Sequence, residues 1–175
     1  MILAGMICAL VPKGEAFAQL RKAFVIAVPI FAAVMIFQIN STQEVLGGKL
    51  TLGGLSLTTL RIDSLSLVWG YLFCLISVLN GIYGLHEKCR ITDSCALIYA
   101  GAAIAGVFAG DLLTLFLFWE LTAISSVFLI WKGGERAYGA GIRYLAIHVL
   151  SGVILLAGAA IYGCLLYTSP SPRDS

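Results

Sequence analysis

Glu120 is the side chain in this sequence whose chemistry is hardest to explain away. It stands in Thr114-Leu115-Phe116-Leu117-Phe118-Trp119-Glu120-Leu121, an apolar and aromatic run. A helix over Leu112 to Trp131 would place it about 12 Å from one end and about 16 Å from the other. A carboxylate at that depth in lipid costs about 2.5 kcal/mol or more, so it must find a cation, face water or take up a proton. Loading and releasing a proton is the chemistry this placement favours over a purely structural acid. His148, in Arg143-Tyr144-Leu145-Ala146-Ile147-His148, is the second candidate. A neutral imidazole relays protons near physiological pH, and it serves equally as a helix-packing residue. Arg143 reads as an interfacial anchor whose head reaches water, with a lesser role feeding a proton entrance. Asp63 and Asp111 stand just before apolar runs and read as helix caps or hairpin contacts, secondary to Glu120 as supporting sites.

The elements that must hold these groups are membrane helices. Of the 175 residues 60% are hydrophobic and 11% charged, with a mean hydropathy of +0.98; soluble domains average about 45–50% apolar and roughly 25% charged. Spanning about 30 Å of hydrocarbon takes about 20 apolar residues. Five segments qualify: Ala23 to Ile39 with Pro29 inside, Leu65 to Leu85, two halves of Cys95 to Trp131 divided at Gly110-Asp111, and Tyr144 to Gly163. Asp111 then caps the fourth. Met1 to Val11 reaches only about 16 Å and reads as a partial first helix. The expected fold class is all-α, a polytopic helical bundle, with a small extramembrane β-hairpin between Asn40 and Asp63.

A formal net charge of +2 spread over short loops gives no basic stripe for phosphates, which excludes nucleic acid as a partner. Cys8, Cys74, Cys89, Cys95 and Cys164 show no metal-type spacing and no disulfide framework. Lys13, Arg21, Lys22, Lys88, Arg90, Lys132, Arg136 and Arg143 fall on one side of the expected spans, against Lys49 and Arg61 on the other. The bias puts the first set in the cytoplasm and the hairpin outside. His86, Glu87, Lys88, Arg90 and Asp93 read as a solvated loop cluster. Residues 164 to 175 break the helical pattern. Cys164 to Asp174 back-translates to DNA resembling a transposase adapter used for sequencing libraries, so the expectation is a native segment 1–163 followed by a foreign tail.

The run Gly110 to Leu121 resembles the proton-conducting membrane subunits shared by respiratory complex I and the Mrp-type multisubunit sodium/proton antiporters. Further pieces in the same order are Leu60-Arg61-Ile62-Asp63-Ser64-Leu65-Ser66-Leu67, Ser125-Ser126, Arg143 to His148, and Ser151-Gly152. The wording around Ser125 to Trp131 is closer to the antiporter D subunits. The resemblance implies a fold of about fourteen helices built from two inverted repeats. It also implies that the acid matching Glu120 works with a lysine on a later helix absent from this sequence. It further implies other membrane subunits as partners, protons and Na+ as substrates, a multi-pass place in the cell inner membrane, and no cofactor. Two other classes compete. A membrane redox protein would need paired haem-ligating histidines, and His86 lies in a loop; an assembly scaffold leaves the mid-depth glutamate unexplained.

Overall fold

The computed structural model describes residues 1–10, 15–38, 45–52, 55–87 and 89–167. In chain order the elements are α1 (Ile2–Leu10), α2 (Glu15–Phe37), β1 (Val45–Leu52), β2 (Leu55–Ile62), α3 (Ser64–Tyr83), a 3-10 turn (Gly84–His86), α4 (Arg90–Val107), α5 (Leu112–Trp131) and α6 (Glu135–Tyr167). This is a helical bundle with one small antiparallel hairpin. Four stretches are long and apolar enough to cross a membrane by length and composition: Phe17–Phe37, Ser64–His86, Leu112–Trp131 and Glu135–Cys164. The remaining long helix, α4, carries Arg90 and Asp93 in its first turn. Side chains such as Val68, Ile147 and Ile154 are more than half exposed, which in water would be an aggregating surface and in lipid is the expected one.

The helices are longer than the apolar runs that announced them. α2 begins at Glu15 rather than Ala23, α4 at Arg90 rather than Cys95, and α6 at Glu135 rather than Tyr144. The physical reason is that backbone hydrogen bonding continues past the lipid boundary, whereas hydropathy marks only the part that must be dry. α6 also runs to Tyr167, past Gly163. Residues 168–175 of the tail read as foreign lie outside the described residues, as do Lys13, Lys88 and the hairpin's Gly53-Gly54.

Helices α3 and α5 start where an aspartate supplies the missing acceptor. At α3 the Ser66 amide donates to Asp63 Oδ1 (2.7 Å) and the Asp63 amide to Ser66 Oγ (2.9 Å), a reciprocal capping box. At α5 the Thr114 amide donates to Asp111 Oδ1 at 2.7 Å.

The hairpin pairs Val45 with Ile62 at its open end and closes over one end of the bundle. The Arg61 amide donates to the Phe108 carbonyl at 2.8 Å. Ile62 joins Ile36, Leu67, Cys74 and Phe108 in a buried cluster. Gly110 sits so close to Thr58 that a Cβ there would lie 2.7 Å from the side-chain Cγ2 and 3.1 Å from the backbone carbonyl carbon. The hairpin and the α4–α5 turn are therefore on one side. At the opposite end Lys22 of α2 donates to the Gly84 carbonyl at 2.7 Å, and Lys132 pairs with Glu87. From α2 onward, helices that are neighbours in sequence pack side by side, and α1 packs against α4.

Candidate functional site

Helices α5 and α6 meet along a seam that holds both candidate titrating groups. On α6, Tyr144, His148 and Gly152 follow one another at four-residue spacing and so share a face. On α5, Trp119 and Glu120 meet them, and Ser126 meets Tyr144. The His148 ring lies 5.3 Å from that of Trp119 and 5.5 Å from that of Tyr144. Ser126 Oγ stands 2.9 Å from Tyr144 Oη, a hydrogen bond joining the two helices. The Glu120 carboxyl seats directly over Gly152, where a Cβ would fall 2.9 Å from the carboxyl carbon and 3.3 Å from Phe116 Cε2.

Two polar atoms at this seam are buried with no hydrogen-bond partner among the described residues: Glu120 Oε1 and His148 Nδ1. The nearby hydroxyls are engaged elsewhere, those of Thr122 and Ser125 by their own helix and those of Ser126 and Tyr144 by each other. Thr122 donates to the Trp119 carbonyl (2.6 Å), Ser125 to Leu121 (2.8 Å), and Ser126 lies 2.9 Å from the Ala123 carbonyl. Such back-bonding satisfies hydroxyls in an apolar helix. An orphaned buried acceptor costs roughly 1–3 kcal/mol, and more when charged. A carboxyl left in that condition gains from any proton or cation brought to it, which is the property a translocation site requires.

Residues 109–169 match the family described as NADH:quinone oxidoreductase/Mrp antiporter, TM. The protein mnhA2 of Staphylococcus epidermidis is 35% identical over 111 residues, 58% of this chain and 14% of that relative. The A-type component of the Na(+)/H(+) antiporter of Alkalihalophilus pseudofirmus is 31% identical over 112 residues, 59% of this chain and 14% of the relative. For the A1-type component of the Na(+)/H(+) antiporter of Staphylococcus aureus the figures are 27% over 149 residues, 77% and 18%. Over these stretches the chain is similar to the membrane subunits of NADH:quinone oxidoreductase and the Mrp antiporters. It spans between 14% and 18% of the length of these relatives. The antiporter relatives just named are of the A type, where the wording around Ser125 pointed toward the D type. The family match runs to residue 169, past Gly163.

Within this antiporter-like segment the other sequence candidates fall away from the seam. Asp63 and Asp111 are spent as the helix caps described above. Arg61 lies 3.8 Å from Asp63, with both side chains largely exposed. Backbone N–H donation from Ser66 holds the Asp63 carboxyl below its usual range, helped by the Ser66 hydroxyl and Arg61. Arg143 is exposed on α6. His148, near the start of the span expected from Tyr144, is about 20 Å along α6 from Glu135, because α6 starts earlier.

One charged group eluded the sequence reading altogether. Asp93, assigned there to a solvated loop, is buried in the first turn of α4. It accepts from Arg21 Nε at 2.7 Å and from Lys22 Nζ at 2.8 Å, both on α2 and both largely buried. The partners are 72 and 71 residues away, so no local pattern could have announced them. Glu87 likewise leaves the solvated-loop reading by pairing with Lys132 across to α5.

Proposed function

We propose that this chain is part of a membrane subunit of a multisubunit Na+/H+ antiporter and that Glu120 is its proton-loading site. The observation that carries the reading is the pair of buried, unpartnered atoms, Glu120 Oε1 and His148 Nδ1, at mid-helix on the two facing helices. A carboxyl without a fixed counter-charge is free to exchange its proton, whereas one locked in an ion pair is not. His148 lies between two aromatic rings and one helical turn from Gly152, and in this reading it passes that proton along the seam. Arg143 remains a candidate for the proton entrance at the cation-rich end. The family match over residues 109–169 and the named antiporter relatives support Na+ as the exchanged cation, further membrane subunits as partners, and the cell inner membrane as the location. In the same reading, residues 1–163 form the N-terminal part of a longer antiporter-like domain.

A second reading is a proton-pumping subunit of NADH:quinone oxidoreductase, favoured by the family description, which covers both assemblies. Proton flux in everted vesicles separates the two: a Na+-dependent signal without NADH supports the antiporter, and one that requires NADH and quinone supports the pump. In either case Glu120→Gln in the full-length protein is expected to assemble normally and to abolish or strongly reduce proton flux. Wild-type flux in that variant would remove Glu120 from the mechanism.

A further inference from the structure

The seam owes its shape to an absent side chain. Gly152 is buried on α6 at the one point where the Glu120 carboxyl reaches across, and the space a methyl group would occupy is already filled by that carboxyl. The nearest ring, Phe116, closes the same space from the α5 side at 3.3 Å. Not every glycine of this helix is so placed: around Gly158 and Gly163 there is nothing within 4 Å of an added Cβ. Glycine weakens a helix interior by roughly 0.5–1 kcal/mol relative to alanine, so Gly152 has a local use that Gly158 lacks.

We infer that Gly152 is a positioning residue for proton transfer: its bare backbone is the seat that fixes the Glu120 carboxyl against α6, one turn from His148. The inference rests on the reading of Glu120 as the proton-loading group. A carboxyl pushed off this seat must turn out of the seam or drive the helices apart, and either movement changes its distance to the next proton acceptor. Misplacement of a reacting group by about 1 Å lowers rates by as much as a hundredfold.

The test uses the full-length protein in everted membrane vesicles, with flux, its pH profile and the amount of assembled protein measured together. Gly152→Ala is expected to lower flux roughly ten- to a hundredfold and to shift the pH profile, while Gly158→Ala leaves both as in the wild type. Glu120→Asp shortens the acid by one methylene, so the double variant Glu120→Asp/Gly152→Ala is expected to recover part of the flux lost in Gly152→Ala. If Gly152→Ala instead reduces assembly, Glu120→Ala in the same chain should restore it, since the clash is with that side chain. Wild-type flux and pH profile in Gly152→Ala overturn the inference, as does a double variant with no recovery. So does an assembly defect that Glu120→Ala leaves unrelieved. Loss of flux in Glu120→Gln alongside wild-type behaviour of Gly152→Ala sinks the seat and spares the proton-loading role; wild-type flux in Glu120→Gln sinks both.

Discussion

Asp93 and Glu120 are acids on adjacent helices of one bundle; Asp93 is buried as a whole, and Glu120, half-buried, has its Oε1 out of reach of solvent. Asp93 has each oxygen engaged by a cation from α2, at 2.7 and 2.8 Å. Glu120 has Oε1 facing a glycine and no donor. A carboxylate gripped by two cations of another helix ties the two helices together; a carboxyl oxygen with no donor is held by packing alone. The same residue class thus joins helices at the cation-rich end of the bundle and, in the function proposed above, serves chemistry at mid-depth. Burial alone distinguishes neither role. The partners do.

That contrast is broken most severely at Asp93. Asp93→Ala removes the carboxylate that Arg21 and Lys22 share, and removing one side of a buried pair costs roughly 3–5 kcal/mol. Loss of assembled protein, or a large drop in melting temperature in detergent, is the expected result. Glu120→Gln should show the reverse pattern, near-normal melting with lost flux. An Asp93 variant that is fully stable would mean the cluster holds nothing together.

A smaller effect sharpens the other side. Tyr144→Phe removes the hydroxyl that meets Ser126 across the α5–α6 seam, and interhelical bonds of this kind in membranes are worth about 0.6 kcal/mol on average. The expected outcome is a slight fall in melting temperature with assembly intact.

The smallest effect concerns the α3 cap. The Asp63 carboxyl is held below its usual range by the Ser66 amide, so the folded state binds that proton less readily than the unfolded state. Its contribution is therefore complete above the ordinary carboxylate value near pH 4 and is lost as pH falls through the lower folded value. Melting followed against pH should show the wild type ahead of Asp63→Ala at neutrality, with the gap closing in acid.

Much of this was legible in sequence, and what was not has a common cause. The α5 boundaries, the break at Gly110-Asp111 and the hairpin follow from local rules: an apolar run of membrane length, an aspartate ahead of it, and short strands separated by glycines. Glu120 stood out because one charge interrupted one such run. The Arg21-Lys22-Asp93 cluster was invisible because pairing across about seventy residues leaves no periodicity to detect, and its members sit among other loop-like charges. The early starts of α2, α4 and α6 were missed for a related reason, since charged first turns resemble loops unless the partners that bury or pair them are known. Gly152 stood in the sequence as one piece of the family resemblance. That it faces the acid depends on the relative rotation of α5 and α6, which only packing sets.

The central claim is that Glu120 takes up and gives back a proton in the membrane interior. Difference infrared spectroscopy of the full-length protein, reconstituted and stepped in pH, reads this directly through the carbonyl stretch of a protonated carboxyl. The account predicts a band that appears and disappears reversibly with pH and is missing in Glu120→Gln. A wild-type spectrum in which no such band depends on Glu120 at any pH would contradict it.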